Sequence, residues 1–268
     1  MKCNLIGSTI AAAVLGICAL APAPADGQGR GPVQPNPASG PAPRLADGKP
    51  DLGNGTGSWA PRGTIEDISG SGGGGQGQPR MVEKTVDVPF LPWAKKAFDE
   101  RAATQQKEDP EARCLPPGIP RILGTGFPFQ IYQLPDRIMF VFEGGAHVWR
   151  PVYMDGRKHT PAEKWNPTYL GEAIGHWDGD TLVVDVTGFN DRTWLDQAGH
   201  PHTEDMHVIE RYTRVDALTM HYEATIDDPK TYSKPWTTSW NIPFMPGWEP
   251  YEYICQENNK DLNHLIGK

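Results

Sequence analysis

The sequence predicts a mainly β, antiparallel chain with a single helix ahead of its strands. Three observations predict it. From about residue 127 onward, apolar runs recur in pairs separated by the turn residues Gly144-Gly145, Asp178-Gly179 and Asp216-Ala217. The one stretch of good helix formers sustained over several turns lies before them, at residues 92–106. Between the two regions Leu115-Pro116-Pro117-Gly118-Ile119-Pro120 is expected to be irregular, since each proline removes a donor from any ladder.

Taken in order, residues 1–25 open with Met1-Lys2 and continue as an uncharged run from Leu5 to Ala23, with small-residue cleavage candidates at Ala21-Pro22-Ala23 and Ala23-Pro24-Ala25. This is the pattern of a secretory signal peptide; a membrane anchor would lack the interrupting Gly and Ser and would end in a basic flank. Residues 26–80 are dominated by Gly, Pro, Ala, Gln and Ser, including the run from Ser69 to Gln78. Such a stretch has too little apolar surface to offset its ordering entropy, so a disordered leader is expected, with Ala46 to Leu52 and Trp59 as places where it could dock. Residues 81–268 are then one domain. Its helix begins at Pro92, a residue suited to a first turn, and ends by Asp109-Pro110. Strands follow at 129–133, 137–143, 146–153, 169–177, 180–187, 205–215, 218–226, 237–242 and 251–255. Strands in succession at this spacing fit a closed, lipocalin-like (calycin-type) barrel of about eight strands.

The formal net charge of -8, without any run of Lys or Arg, speaks against a nucleic-acid partner. After signal removal no apolar segment is long enough to span a bilayer, and a periplasmic or extracellular protein is expected. Cleavage would also remove Cys3 and Cys18, leaving Cys114 and Cys255, and two cysteines in an exported chain suggest one disulfide. In the chain-entropy model a loop of that length contributes about 4–5 kcal/mol, less any strain.

The chemistry concentrates in Gly199-His200-Pro201-His202-Thr203-Glu204-Asp205-Met206-His207, where three histidines and several acids run into a strand. With Asp216-Ala217 as a two-residue turn, Arg211 lies opposite Tyr222 and His207 opposite Ile226, on a mostly apolar face that should point inward. Glu210, Tyr212 and Arg214 then face solvent. In the second hairpin the same counting sets Glu172 opposite Asp185, an acid pair that would share a proton if buried and would be unremarkable in water. In the first, Phe140, Phe142, His147 and Trp149 share one face and Val148 and Arg150 the other, both read as largely buried. The loop 188–196 adds Asp191 and Trp194 beside the histidines. His200, His202 and His207 with a nearby carboxylate could hold a divalent metal, but the spacing matches no zinc signature, and no cofactor is expected. There is no Gly-x-Ser-x-Gly elbow and no Ser-x-x-Lys.

Several segments are specific enough to carry a resemblance: Cys114-Leu115-Pro116-Pro117-Gly118, the run from Trp177 to Asp185, the run from Gly188 to Asp196, Gly199-His200-Pro201-His202, and Cys255-Gln256-Glu257-Asn258. On these the chain resembles a large group of secreted bacterial proteins with no established activity. The resemblance covers residues from about Lys49 to the C-terminus and implies one domain, without implying a reaction. The residues themselves lead to the expectation of a secreted lyase, isomerase or hydrolase acting on a small organic substrate inside the barrel. His207 would be its general acid or base, with His200, His202 and Asp191 completing the catalytic set. Arg211, Tyr222, Trp194, Arg150, Trp149 and His147 would hold the substrate. A non-catalytic carrier of a small apolar or aromatic ligand is the alternative.

Overall fold

The computed structural model describes residues 39–71, 81–145 and 147–257. The expected signal peptide lies outside them, as do residues 26–38 and 72–80 of the expected leader.

Among the described residues nine strands form one sheet: β1 (Gly57–Trp59), β2 (Phe129–Gln133), β3 (Arg137–Phe142), β4 (Trp149–Tyr153), β5 (Glu172–Asp178), β6 (Thr181–Thr187), β7 (His207–Asp216), β8 (Thr219–Asp227) and β9 (Trp236–Pro246). Neighbours in sequence are neighbours in space, and β1 pairs with both β2 and β9, so the strand order closes on itself. One pair departs from the antiparallel expectation. Strands β4 and β5 run parallel and meet at only two residue pairs, Val152 with Ala173 and Tyr153 with Ile174. The reason is their connection, residues 154–171, which is long enough to cross back to the same end of the sheet. Residues 251–255, expected as a strand, form none.

The larger correction concerns the leader. Its residues Leu52, Trp59, Ile65 and Ile68 are buried in the core, and β1 supplies the strand that closes the order. Composition averaged these four side chains against their glycines, whereas each is docked separately. The Trp59 indole donates to Leu52 O at 2.8 Å, the Leu52 amide donates to Gln133 Oε1 at 2.7 Å, and the Gln133 amide donates to Asn54 Oδ1 at 2.7 Å. Gly57 is required at the seam, because a Cβ there would sit 2.5 Å from the Met245 carbonyl oxygen.

The helix α1 (Pro92–Ala103) starts on the proline as expected and buries little beyond Ala94. It is held by particular contacts. Arg101 donates to Gly199 O at 2.9 Å and lies 4.5 Å above the Trp194 ring, and Phe98 packs 4.5 Å from the His200 ring.

Register decides which side chains enter the core, and it differs from expectation in three hairpins, in two of which the faces are exchanged. In β7–β8 the turn is Ala217-Leu218, because Asp216 Oδ1 accepts the Leu218 amide at 2.7 Å and Asp216 pairs with Thr219. That alone would displace the ladder by two residues and preserve the faces. An irregularity between Arg214 and Asp216 takes one residue back, so Glu210 pairs with Ala224 and Tyr212 with Tyr222. Val208, Glu210, Tyr212 and Arg214 therefore point inward, and His207 and Arg211 outward. In β3–β4 a six-residue connection, 143–148, sets Phe140 opposite Arg150 and Val141 opposite Trp149. Arg150 turns inward, while Trp149 is 63% exposed rather than buried. In β5–β6 the displacement is two residues: Glu172 pairs with Thr187 and Asp185 with Ile174, so the two acids share a face as diagonal neighbours instead of lying opposite.

Candidate functional site

The interior is filled by side chains. Trp59, Phe129, Phe140, Tyr212, Tyr222 and Trp240 are all fully buried there, around one ion pair. Arg150 Nη2 donates to Glu210 Oε2, and Glu210 Oε1 accepts the hydroxyls of Tyr212 at 2.7 Å and Tyr222 at 2.8 Å. Two phenols and a guanidinium thus satisfy a carboxylate removed from water, the arrangement a buried charge requires. Burial, reinforced by the Glu210 charge, holds both phenols well above the ordinary tyrosine range. Arg150 Nε has no partner among the described residues. Tyr222 and Arg150, expected to meet a substrate, instead complete this network. The face expected to carry His207 and Arg211 inward instead points outward, and this network takes the inward positions of β7.

The loop histidines are buried and engaged by neighbouring side chains and backbone. Asp196 Oδ1 accepts the Gly199 amide at 2.9 Å and the His200 amide at 3.1 Å, and its Oδ2 accepts the Ile68 amide at 2.9 Å and His200 Nδ1 at 2.6 Å. The His200 ring is stacked on Phe90 at 5.4 Å and tilted against Phe98 at 4.5 Å, and the two phenylalanines also touch each other. Asp67, Asp196 and His200 have ligand atoms within 4.8 Å of one another, but the four donors already on Asp196 leave it no lone pair for an ion. His202 is buried, with Nε2 at 2.7 Å from Thr193 Oγ1 and Nδ1 at 3.2 Å from Thr203 O. Its burial pushes the imidazole below its ordinary range, which keeps it neutral. Trp194 lies buried under Arg101, and Asp191 is exposed.

A different cluster stands on the outer wall of β5, β6 and β7. Asp185 Oδ1 accepts His207 Nε2 at 2.8 Å and His159 Nε2 at 3.0 Å, and the other nitrogen of His159 lies 3.1 Å from Glu172 Oε2. Glu172 also accepts the Thr160 amide and hydroxyl, each at 2.8 Å. Burial works against its charge, yet these donors hold Glu172 below the usual carboxylate range. The hydrogen bond with Asp185 raises His207, and the same bond lowers Asp185. His207 is about two-fifths exposed, and among the described residues its Nδ1 has no partner. The cluster is thus a chain of four proton-active groups, Glu172, His159, Asp185 and His207, with one end open to water.

Two clefts flank Glu172. One, of about 530 Å³, is walled by Trp149, Pro151, Tyr153, Tyr169 and Leu170 and includes His147 and Arg150. It lies where β4 and the segment 168–171 diverge before their short parallel pairing. The other, of about 240 Å³, is lined by Thr160, Lys164, Trp165 and Asn166. Thr168, Gly171 and Glu172 belong to both.

The sequence therefore named His207, Glu172 and Asp185, which the fold brings together, and Trp149, His147 and Arg150, which it places at one cleft. It did not bring Asp191, His200, His202, Trp194, Tyr222 or Arg211 to this site; Arg211 donates to Asp178 Oδ2 at 2.9 Å. His159 was missed altogether. It stands alone between Lys158 and Thr160-Pro161, and no spacing marks it, because it reaches the site through the connection 154–171. Cys114 and Cys255 are disulfide-bonded, with Cα atoms 5.6 Å apart. Among the described residues no helix is long and apolar enough to cross a membrane. No protein-family model matches the chain, and neither curated proteins nor solved structures yield a match.

Proposed function

We propose that the protein is an enzyme of lyase, isomerase or hydrolase type that acts by histidine–carboxylate proton transfer on a small organic molecule held against the outer wall. One observation carries the reading: a single carboxylate oxygen, Asp185 Oδ1, receives two imidazoles, one of which also meets Glu172 at the edge of two clefts. Glu172, kept ionised by Thr160 and His159, is placed to take a proton from a bound molecule. A proton passed between His159 and either carboxylate leaves the ring hydrogen-bonded on its other side, so the charge moves without the groups moving. At the far end His207 exchanges with water through Nδ1, oriented by Asp185 as the base of a catalytic dyad is oriented by its acid. On this reading the closed strand order is that of a lipocalin-like barrel whose interior serves stability and whose wall serves chemistry. The signal-peptide pattern and the disulfide support a periplasmic or extracellular setting.

The test is turnover of 4-nitrophenyl acetate, a small aromatic ester, by the wild type and by His207→Ala, His159→Ala and Glu172→Gln. Loss of ten-fold or more in each variant, with midpoints of urea unfolding close to wild type, is the expected result. Rates equal to buffer, or unchanged by all three substitutions, would defeat the proposal. The aromatic walls of the larger cleft favour one second reading, a carrier, which predicts binding of phenol that none of the three substitutions alters.

A further inference from the structure

The two clefts differ in chemistry yet share Thr168, Gly171 and Glu172 as a common wall. On one side Trp149, Pro151, Tyr153, Tyr169 and Leu170 line the cleft; Arg157 lies 3.7 Å over the Tyr153 ring, which leaves Trp149 and Tyr169 as its free aromatic walls. Trp149 and Tyr153 stand two pleats apart on the same outer face of β4, with the small ring of Pro151 between them. Flat apolar groups stack on such walls. On the other side the side chains of Lys164, Asn166 and Thr168 have no hydrogen-bond partner among the described residues, although each is polar and faces the cleft. Lys164 and Glu172 contribute one charge of each sign to that half. An ionic ligand of either sign would meet one repulsive partner there, whereas a neutral group bearing several hydroxyls could both donate to Glu172 and accept from Lys164 and Asn166. Trp165 lines the same half, its indole nitrogen donating to Thr160 O at 2.6 Å.

From this juxtaposition we propose that the two clefts are halves of one binding groove for a neutral two-part molecule: an aryl or similarly flat group in the Trp149–Tyr169 half, joined to a polyhydroxylated group in the Lys164–Asn166 half. An aryl glycoside has this chemistry. The linkage between the parts lies over Glu172, where the proton-transfer chain begins. The groove rests on the preceding reading for its reaction but not for its binding.

Calorimetry with three probes tests it: phenyl β-D-glucopyranoside, phenol and methyl β-D-glucopyranoside. The joined molecule is expected to bind at least ten-fold more tightly than either part. Trp149→Ala should weaken phenol and the joined molecule, and the double substitution Lys164→Met, Asn166→Ala should weaken the two glucosides while leaving phenol unchanged. Equal binding of phenol and its glucoside, no binding of the glucoside, or indifference of the glucoside to both variants would overturn the groove. Turnover separates the two claims. If the ester assay responds to His207→Ala while glucoside binding ignores both groove variants, the groove fails and the proton-transfer chain stands. If binding behaves as expected while ester turnover ignores His207→Ala, His159→Ala and Glu172→Gln, the reverse holds.

Discussion

Glu210 holds the ion pair at the centre of the core. It is fully buried, and all three of its partners are themselves buried. Removing one member of such a pair strands the other charge away from water, so Glu210→Ala is expected to cost about 3–5 kcal/mol. Replacing both, Arg150→Met with Glu210→Leu, should recover only the part of that loss that comes from the stranded guanidinium, because the buried Tyr212 and Tyr222 hydroxyls still lose their acceptor. Urea unfolding of the single and double variants measures the difference; a double variant as unstable as the single one would argue that the network does more than balance charge. Asp185 acts on the opposite side of the wall. His207 is raised by this acid and Asp185 is lowered by the histidine. Stability from a raised histidine is present below its unfolded value and is lost as pH rises through its folded value. Stability from a lowered acid is present above its unfolded value and is lost as pH falls through its folded value. The wild type should therefore exceed Asp185→Asn most in the interval between the two folded values and converge with it at both extremes. Imidazole titration by NMR should show the His207 transition moving down in Asp185→Asn, and an unmoved transition would refute the coupling.

At the scale of elements, hairpin turns decide what a strand can do. Every strand from β2 to β9 was legible as an apolar run, and β2 was placed to the residue. Faces were less legible, because a period of two turns a displacement of one residue into an exchange of inside for outside. Asp216 shows why the β7–β8 register escaped: its carboxylate caps the Leu218 amide, a competition between side chain and backbone that the dipeptide Asp-Ala does not announce. The irregularity beside it then moved Glu210 from the expected solvent face to the center of the core. Asp216→Ala removes that cap and is expected to cost about 1 kcal/mol in urea unfolding. The chemistry of the outer wall was legible in part. Glu172 and Asp185 were seen as an acid pair, but their mediator, His159, comes from a connection with no periodic pattern to place it. β1 was hidden for another reason, since three residues among glycines carry too little pattern to be counted as a strand.

For the whole molecule, the Cys114–Cys255 bond ties the chain before β2 to the chain after β9, at a sequence separation of 141 residues. It restrains the unfolded chain more than it shapes the folded one. Reduction is expected to lower the free energy of unfolding by up to about 4–5 kcal/mol on the chain-entropy model while leaving the strands in place. Comparison of the oxidised protein with Cys114→Ser, Cys255→Ser by urea unfolding tests this, and a change below about 1 kcal/mol would mean that the reduced chain is already compact. The phenols around Glu210 give that comparison an intrinsic optical gauge. Tyr212 and Tyr222, two of the eight tyrosines, are buried and held well above the ordinary range. In alkaline solution the exposed phenols turn to tyrosinate first, and these two follow only when the wall parts and water reaches them. A stepwise gain in tyrosinate absorbance would thus read the opening of the ring of strands directly, with no label attached.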